Sequence, residues 1–253
     1  MIVYFSATGN CKDIATKIAE ELNDEAVFIC EFTNEQKNRI NQKQEYIGIV
    51  TPTYVYGLPN IIADFISNTK INADAYKFII AAYGTSPGLT WYYADKFLKK
   101  SSNAVFDAKF SIFTNDNYTP WFDVSDKEKV EKNNQRTEQE LAVILSKIKN
   151  RDTGNFMKKK FPRIGAPICR IAYNFICKTK HLSADEKCIG CGICKNKCPV
   201  HAIELNDGKP VWTKDKCEMC LGCLHRCPQF SIQFGNGNAT RKHGQYQNPN
   251  VKI

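Results

Sequence analysis

Short, nearly continuous apolar runs alternate along the first part of the chain with longer stretches in which apolar residues recur every third or fourth position. Residues 1–5 (Met-Ile-Val-Tyr-Phe) form the first run, and Ile14, Ala15, Ile18, Ala19 and Leu22 then keep helical spacing. Residues 26–30, 46–50, 78–83 and 105–114 read as further strands. Residues 60–67, the stretch from about 89 to 99, and 125–149 read as helices, with 31–45 helical or irregular. Runs that are apolar throughout suit strands covered on both faces, whereas a sheet with one wet face would alternate. Ser125 with Glu128, ahead of the stripe Leu141, Ile144, Leu145 and Ile148, predicts a capping box at the start of the last helix. Five strands alternating with helices predict an α/β fold, a doubly wound five-stranded parallel sheet over residues 1–150.

Three loops follow the C-termini of these strands, the edge at which open α/β sheets bind ligands. The first, Ser6-Ala7-Thr8-Gly9-Asn10-Cys11, leads into a helix N-terminus, where free N–H groups and the helix dipole favour a phosphate. The second contains Pro52, Thr53, Tyr54, Val55, Tyr56 and Gly57, and the third Tyr83, Gly84, Thr85 and Gly88. The chain has no Gly-Lys-Ser/Thr phosphate loop and no Gly-x-Gly-x-x-Gly, which argues against a nucleoside triphosphate and weakens a dinucleotide site. Each loop alone is also an ordinary β–α turn, and any one tyrosine is as well explained by packing. Taken together and in this order, they resemble the phosphate loop and the two flavin-ring loops of flavodoxins. The resemblance covers roughly residues 1–150 and implies bound FMN held by these residues. Flavodoxins usually carry Thr or Ser where this chain has Cys11, so one hydroxyl donor is missing. Tyr118 and Trp121, in an aromatic loop over 115–124, cover the flavin, face the second domain or pack in a core; packing is favoured.

The second part has a different grammar. Cys188-x2-Cys191-x2-Cys194-x3-Cys198-Pro199 repeats 29 residues on as Cys217-x2-Cys220-x2-Cys223-x3-Cys227-Pro228, taking eight of the twelve cysteines. This is the run of bacterial two-cluster ferredoxins. Zinc takes paired knuckles separated by a longer loop, a poor match to three cysteines at x2-x2 spacing followed by Cys-Pro. The resemblance implies a small α+β domain with two [4Fe-4S] clusters. It also implies crossed ligation: Cys188, Cys191, Cys194 and Cys227 for cluster I, and Cys217, Cys220, Cys223 and Cys198 for cluster II. Gly190, Gly192 and Gly222 would let N–H groups approach sulfur, and Ile189, Ile193, Val200, Ile203, Leu221 and Ile232 would form an apolar shell. His225 has no ligand role; inside the second run it either hydrogen-bonds near a cluster or lies at the surface, and the surface is favoured. Cys30, Cys169 and Cys177 lie outside the pattern and read as structural thiols, as does Cys11.

The expected organisation is a flavodoxin-like domain over 1–150, a basic linker with a short helix over 151–183, a ferredoxin domain over 184–235 and a polar, extended tail over 236–253. Lys158-Lys159-Lys160 reads as a solvated run. Residues 168–177 read as a short apolar helix, too short to span a bilayer. Such a basic amphipathic segment either touches a membrane surface or braces the two domains, and bracing is favoured.

Charge is uneven: residues 1–150 carry 17 Lys and Arg against 19 Asp and Glu, while 151–253 carry 18 against 7. The excess suits an acidic partner. The lysines are scattered and no base-stacking motif is present, so no nucleic acid is expected. Twelve cysteines in a chain of 253 residues without a secretory signal point to a reducing cytoplasm, not a disulfide scaffold. The whole chain resembles the flavodoxin–ferredoxin fusion proteins of anaerobic bacteria and archaea. That resemblance implies electron transfer between FMN, the clusters and other redox proteins, such as a ferredoxin or an Fe–S oxidoreductase, within one chain or across a homodimer. The alternative is a flavin-dependent reductase fed by its own clusters, although Tyr54, Asp116 and Tyr118 form no recognisable acid–base set.

Overall fold

A computed structural model describes residues 1–42, 44–158 and 161–253, apart from the side chains of Arg163 and Ala166. Its contacts divide the chain into two units: Met1–Ser6, Asn10–Thr114 and Asn133–Ile171 form the first, and Ala7–Gly9, Asn115–Lys132 and Ala172–Ile253 the second.

In the first unit, β1 (Ile2–Tyr4), β2 (Ala26–Phe28), β3 (Tyr46–Pro52), β4 (Tyr76–Tyr83), β5 (Ala108–Phe113) and β6 (Gly154–Asn155) make one parallel sheet. The strand order is β2-β1-β3-β4-β5-β6. It reverses between β1 and β3, the switch point at which doubly wound sheets open a ligand crevice. The five expected strands are joined by a sixth. β6 is only two polar residues long, in what reads as linker, and hydrophobic patterning cannot reveal it. The helices are α1 (Asn10–Glu21), α2 (Asn34–Ile40), α3 (Asn60–Asn68), α4 (Thr90–Ser102) and α5 (Lys127–Lys149).

Strand residues alternate between faces. Ile2, Tyr4, Val50, Phe78, Ile80, Phe110 and Ile112 share a core with Ile14 and Ile18 of α1 and Leu141, Ile144 and Ile148 of α5. Helices α3 and α4 bury Ile62, Ala63, Ile66, Tyr93, Ala94 and Leu98. Every residue of β4 is buried, including Lys77. The Lys77 ammonium is compensated by the carbonyls of Ala73 and Ala75, at 2.9 and 2.7 Å, and by Asp107 at 3.0 Å.

Helix α5 starts later than the sequence suggests. Asp126 accepts from Lys129 N–H at 3.0 Å, while the Ser125 hydroxyl bonds Asp123 instead. The expected Ser125–Glu128 box is therefore replaced by a carboxylate cap one residue on. A complete capping box does occur at α2, between Thr33 and Gln36. Cys30, expected to be a structural thiol, is exposed, whereas Cys11 and Cys177 are buried. Lys158 is exposed, as a solvated run requires; Lys159 and Lys160 lie outside the described residues. Helix α6 (Ala166–Ile176) follows.

The second unit has two antiparallel pairs, β7 (Leu182–Ala184) with β10 (Ile232–Phe234) and β8 (Ile203–Asn206) with β9 (Lys209–Trp212). Two short helices, α7 (Ile193–Asn196) and α8 (Gly222–His225), lie 29 positions apart and carry the sequence repeat into the structure. The backbone repeats as well. Left-handed residues Gly190, Gly192 and His201 recur as Met219, Leu221 and Phe230 at the same offset. The tail is not simply extended: it contains α9 (Asn238–His243).

Among the described residues, no helix is long and apolar enough to cross a membrane. Gly48 sits in β3 beneath two large side chains, and a Cβ there would lie 2.6 Å from Phe78 Cε2 and 2.9 Å from Ile2 Cδ1. Gly48→Ala is expected to cost about 1–3 kcal/mol through overpacking, read as a lower urea midpoint with unchanged slope.

Candidate cluster and flavin sites

Both cysteine runs fold around their sulfurs in the same way. The Cys198 sulfur accepts from Ala202 N–H at 3.3 Å, and the Cys227 sulfur accepts from Ser231 N–H at 3.3 Å, 29 residues on. Cys217 receives Met219 N–H at 3.2 Å. Such N–H···S bonds need tight turns, and the left-handed residues supply them.

One cavity is lined by Cys188, Cys191 and Cys194 from the first run together with Cys227 from the second. In the other group, Cys198, Cys217 and Cys220 lie close enough to Cys223 for like-charge repulsion to reinforce the desolvation of its thiol. The first four therefore share a cavity that includes the fourth cysteine of the opposite run, and Cys198 of the first run lies within electrostatic reach of Cys223 together with Cys217 and Cys220.

The two sets differ in surroundings. Burial pushes the Cys217 and Cys220 thiols up to about 12 and Cys223 well above its ordinary value. Cys194 is also raised by burial. Cys227 goes the other way: burial opposes ionisation, but the Ser231 hydroxyl and N–H donors from Ser231, Ile232 and Gln229 outweigh it. Around the first run Cys191 is exposed and Ile189 is 64% exposed, so the expected apolar shell is incomplete there. Around the second run Met219, Leu221 and Leu224 are buried, whereas the buried Ile232 lines the cavity of the first set.

His225, expected at the surface, is fully buried. Burial lowers its pKa to about 4. Its partners select the neutral tautomer: Nε2–H donates to the Asn117 carbonyl at 2.8 Å, and Nδ1 accepts from Tyr246 N–H at 3.1 Å. The tail holds the same helix end. Gln245 Nε2 donates to the Leu224 and Cys227 carbonyls at 2.6 and 2.8 Å, and Gln247 Nε2 to the His225 carbonyl at 2.9 Å. No periodic signal marks these glutamines; a polar tail reads as solvent-exposed when each residue is considered alone.

Of the three loops, the first holds Gly9 at φ 101° before α1. Asn248 N–H donates to the Thr8 carbonyl at 2.7 Å, and the Asn117 amide donates to the Thr8 hydroxyl. That hydroxyl keeps its own proton for a further acceptor. A Cβ on Gly9 would lie 2.8 Å from Asn248 Cβ and 3.0 Å from Val251 Cγ2, so the tail passes directly over it. Ser6, Ala7, Thr8 and Asn10 are all buried. The Cys11 side chain belongs to the core beside Ile14 and Ala15, which leaves its backbone as the group facing the loop's chemistry.

The second loop is a tight turn. Tyr54 and Gly57 exchange both backbone hydrogen bonds, at 2.9 and 3.0 Å, around Val55 and Tyr56 at φ 45° and 61°. Left-handed backbone at a β-branched residue is strained, and such strain concentrates at ligand clamps. The third loop interlocks with it: Leu89 N–H donates to the Tyr56 carbonyl at 2.7 Å, and Gly88 (φ 54°) lies against Tyr56. Tyr83 is buried against Phe113, Tyr54 meets Phe5 edge-on, and Tyr56 packs on Phe161. Gly84 and Thr85 remain accessible, as do Pro52 and Thr53 in part. Among the described residues, the hydroxyls of Thr53 and Thr90 are buried with no hydrogen-bond partner. A ligand with polar edges would give these orphaned groups one, so the loops fit such a group. Tyr118 packs on Trp121 and Phe234 inside the second unit.

Residues 1–142 match the family model described as a flavodoxin domain. The chain belongs to the flavodoxin-domain family. Residues 181–229 match a 4Fe-4S dicluster domain, so this flavodoxin domain is followed by a ferredoxin domain. The pairing implies a flavin, Fe–S clusters and electron transfer. Similar solved structures include Fusobacterium nucleatum flavodoxin bound to flavin mononucleotide, with 15% identity over 60% of this chain and 97% of that one and a TM-score of 0.37. A flavodoxin from the domain Archaea has 14% identity over 57% and 97%, TM-score 0.35. The Flv1 flavodiiron core from Synechocystis sp. has 15% identity over 58% of this chain but only 36% of its own, TM-score 0.35. No curated protein matches the chain.

Two substitutions probe these sites. A Cβ at Gly88 would lie 2.5 Å from the Tyr56 carbonyl oxygen on a left-handed backbone. Gly88→Ala is expected to lower stability by about 1–3 kcal/mol and to weaken FMN binding, read by quenching of flavin fluorescence. His225→Leu strands the Tyr246 N–H and Asn117 carbonyl and is expected to cost about 1–3 kcal/mol for each group left unpaired, read as a lower melting temperature.

Proposed function

We propose that the chain is an electron carrier in which FMN on the flavodoxin domain exchanges electrons with two [4Fe-4S] clusters and, through them, with other redox proteins. The observation that supports this reading is the cavity shared by Cys188, Cys191, Cys194 and Cys227, in a 4Fe-4S dicluster domain that follows a flavodoxin domain. FMN supplies chemistry that the clusters lack, since it exchanges one or two electrons whereas each cluster exchanges one.

The residues take the following parts. Cys188, Cys191, Cys194 and Cys227 hold cluster I; Cys217, Cys220, Cys223 and Cys198 hold cluster II. Residues 6–11 receive the FMN phosphate on backbone N–H groups and the Ser6 and Thr8 hydroxyls, and residues 52–57 and 83–88 flank the ring. Thr53, already named in the second loop, and Thr90, which the sequence places within a helix, add buried hydroxyls. The exposure of Ile189 and Cys191 makes the first set the one that meets partners, and the enclosed second set a protected relay. Exposed lysines nearby, among them Lys187, Lys197 and Lys209, suit an acidic redox protein. A reducing, cytoplasmic setting is consistent with free thiols and Fe–S centres.

Anaerobic reconstitution tests this reading. The chain is expected to take up one FMN, about eight irons and about eight inorganic sulfides, and its photoreduced clusters should bleach the flavin. Protein that holds no flavin, or clusters that never reduce it, would sink the proposal. Cys198→Ala is expected to halve the iron and to remove the electron paramagnetic resonance signal of the cluster built on Cys217, Cys220 and Cys223. Loss of the cluster built on Cys188, Cys191 and Cys194 would instead mean that each run holds its own cluster.

A further inference from the structure

Helix α6 and the turn before it leave a line of large apolar side chains in solvent. Ile164, Ile168, Ile171 and Phe175 are 87, 72, 58 and 65% exposed. Their spacing of four, three and four places them on one stripe of the helix. The opposite side is anchored: Tyr173 is buried with its hydroxyl on Glu218, and Arg170 donates to the Leu58 carbonyl at 3.3 Å. The stripe is therefore not a core waiting for its own helix to rotate. Isolated exposed leucines or isoleucines are ordinary, but four in register are not.

Charge says what covers it. Residues 153–184 contain Lys158, Lys159, Lys160, Arg163, Arg170, Lys178 and Lys180, and no Asp or Glu. Apart from Arg170, which is held on the anchored side, the bases flank the helix in sequence at both ends, and Lys178 lies over the Phe175 ring at 5.3 Å. A protein interface is depleted in lysine and enriched in tyrosine, tryptophan, phenylalanine, methionine and arginine. Here the cations are mostly lysine and the stripe is mostly isoleucine. An anionic bilayer surface fits both: acyl chains take the isoleucines, and lysine stems reach outward to the headgroups. Eleven residues of helix span about 16 Å, so α6 lies in the interface and does not cross.

We propose that α6 docks this electron carrier on an anionic membrane surface through Ile164, Ile168, Ile171 and Phe175. Docking of this kind holds the redox centres next to membrane-bound partners without a spanning segment. It is independent of which cofactors the chain carries.

The test is sedimentation of the full-length holoprotein with sucrose-loaded vesicles of equal phosphatidylcholine and phosphatidylglycerol, against vesicles of phosphatidylcholine alone. Binding is expected to the first and not the second, and to fall as NaCl rises to about 0.5 M. Ile168→Ser with Ile171→Ser should lower the apparent partition coefficient at least about tenfold, with Fe–S absorption and melting temperature unchanged. Lys178→Gln with Lys180→Gln should weaken binding without altering either control. The proposal is overturned if the wild-type protein does not sediment with the anionic vesicles, or if the isoleucine pair leaves binding unchanged. It is overturned equally if those substitutions abolish binding to an acidic soluble ferredoxin while vesicle binding is absent, which would assign the stripe to a protein partner.

Discussion

A thiol enclosed by protein keeps its proton, yet an Fe–S centre is held by thiolate, and the second unit is organised around that opposition. Cys217, Cys220 and Cys223 are pushed upward by burial, and Cys198 lies close enough to add repulsion once the group ionises. Iron charge is what would reverse the balance. The β-structure around the cysteines consists of two pairs of strands no longer than four residues, so apolar burial alone offers little. Cluster binding would then contribute directly to the folding free energy of this unit. The N–H groups of Ala202, Met219 and Ser231 contribute to the same end, since each delivers partial positive charge to sulfur.

The two runs solve one backbone problem with different residues. Each needs left-handed conformations at two places within the cysteine loop. The first run uses Gly190 and Gly192, which adopt them without penalty. The second uses Met219 and Leu221, at a cost of about 1–2 kcal/mol each. Both side chains are buried, and burying a leucine or methionine contributes about 1.5–3 kcal/mol. The strain is therefore offset by enclosure. A glycine at these places would relax the backbone but forfeit the burial. The chemical sameness of the runs hides a physical difference between a more exposed loop and a more sheltered one.

What the sequence made legible follows the strength of each signal. The sheet strands are continuous apolar runs, and their order and alternation with helices survive intact. β6 is a glycine and an asparagine, and no hydrophobic pattern can mark it. The cap of α5 moved by one residue because Ser125 and Asp126 are both good caps and only local geometry chooses between them. The cysteine spacing was legible because ligation imposes it directly. His225 was not, since its burial depends on Asn117 and Tyr246, distant in the chain. The orphaned hydroxyl of Thr53 lies in a loop picked out by its position after β3, while Thr90 sits at the first position of α4, where threonine is unremarkable by pattern.

The tail gives the plainest case of a long-range constraint that local reading misses. Residues 245–248 bond in quick succession to two parts of the second unit. Gln245 and Gln247 take the carbonyls at the end of α8, and Asn248 takes the carbonyl of Thr8. Val251 and Ile253 then lie on Gly9, where even a methyl group would collide. A stretch this short has little slack, so the placement of α8 and of the loop at Thr8 cannot vary independently while both sets of bonds hold. The carbonyls at the end of α8 belong to the turn between Cys223 and Cys227. The order of the small loop ahead of α1 is therefore tied, through four tail residues, to the order of a cysteine run more than 200 positions away.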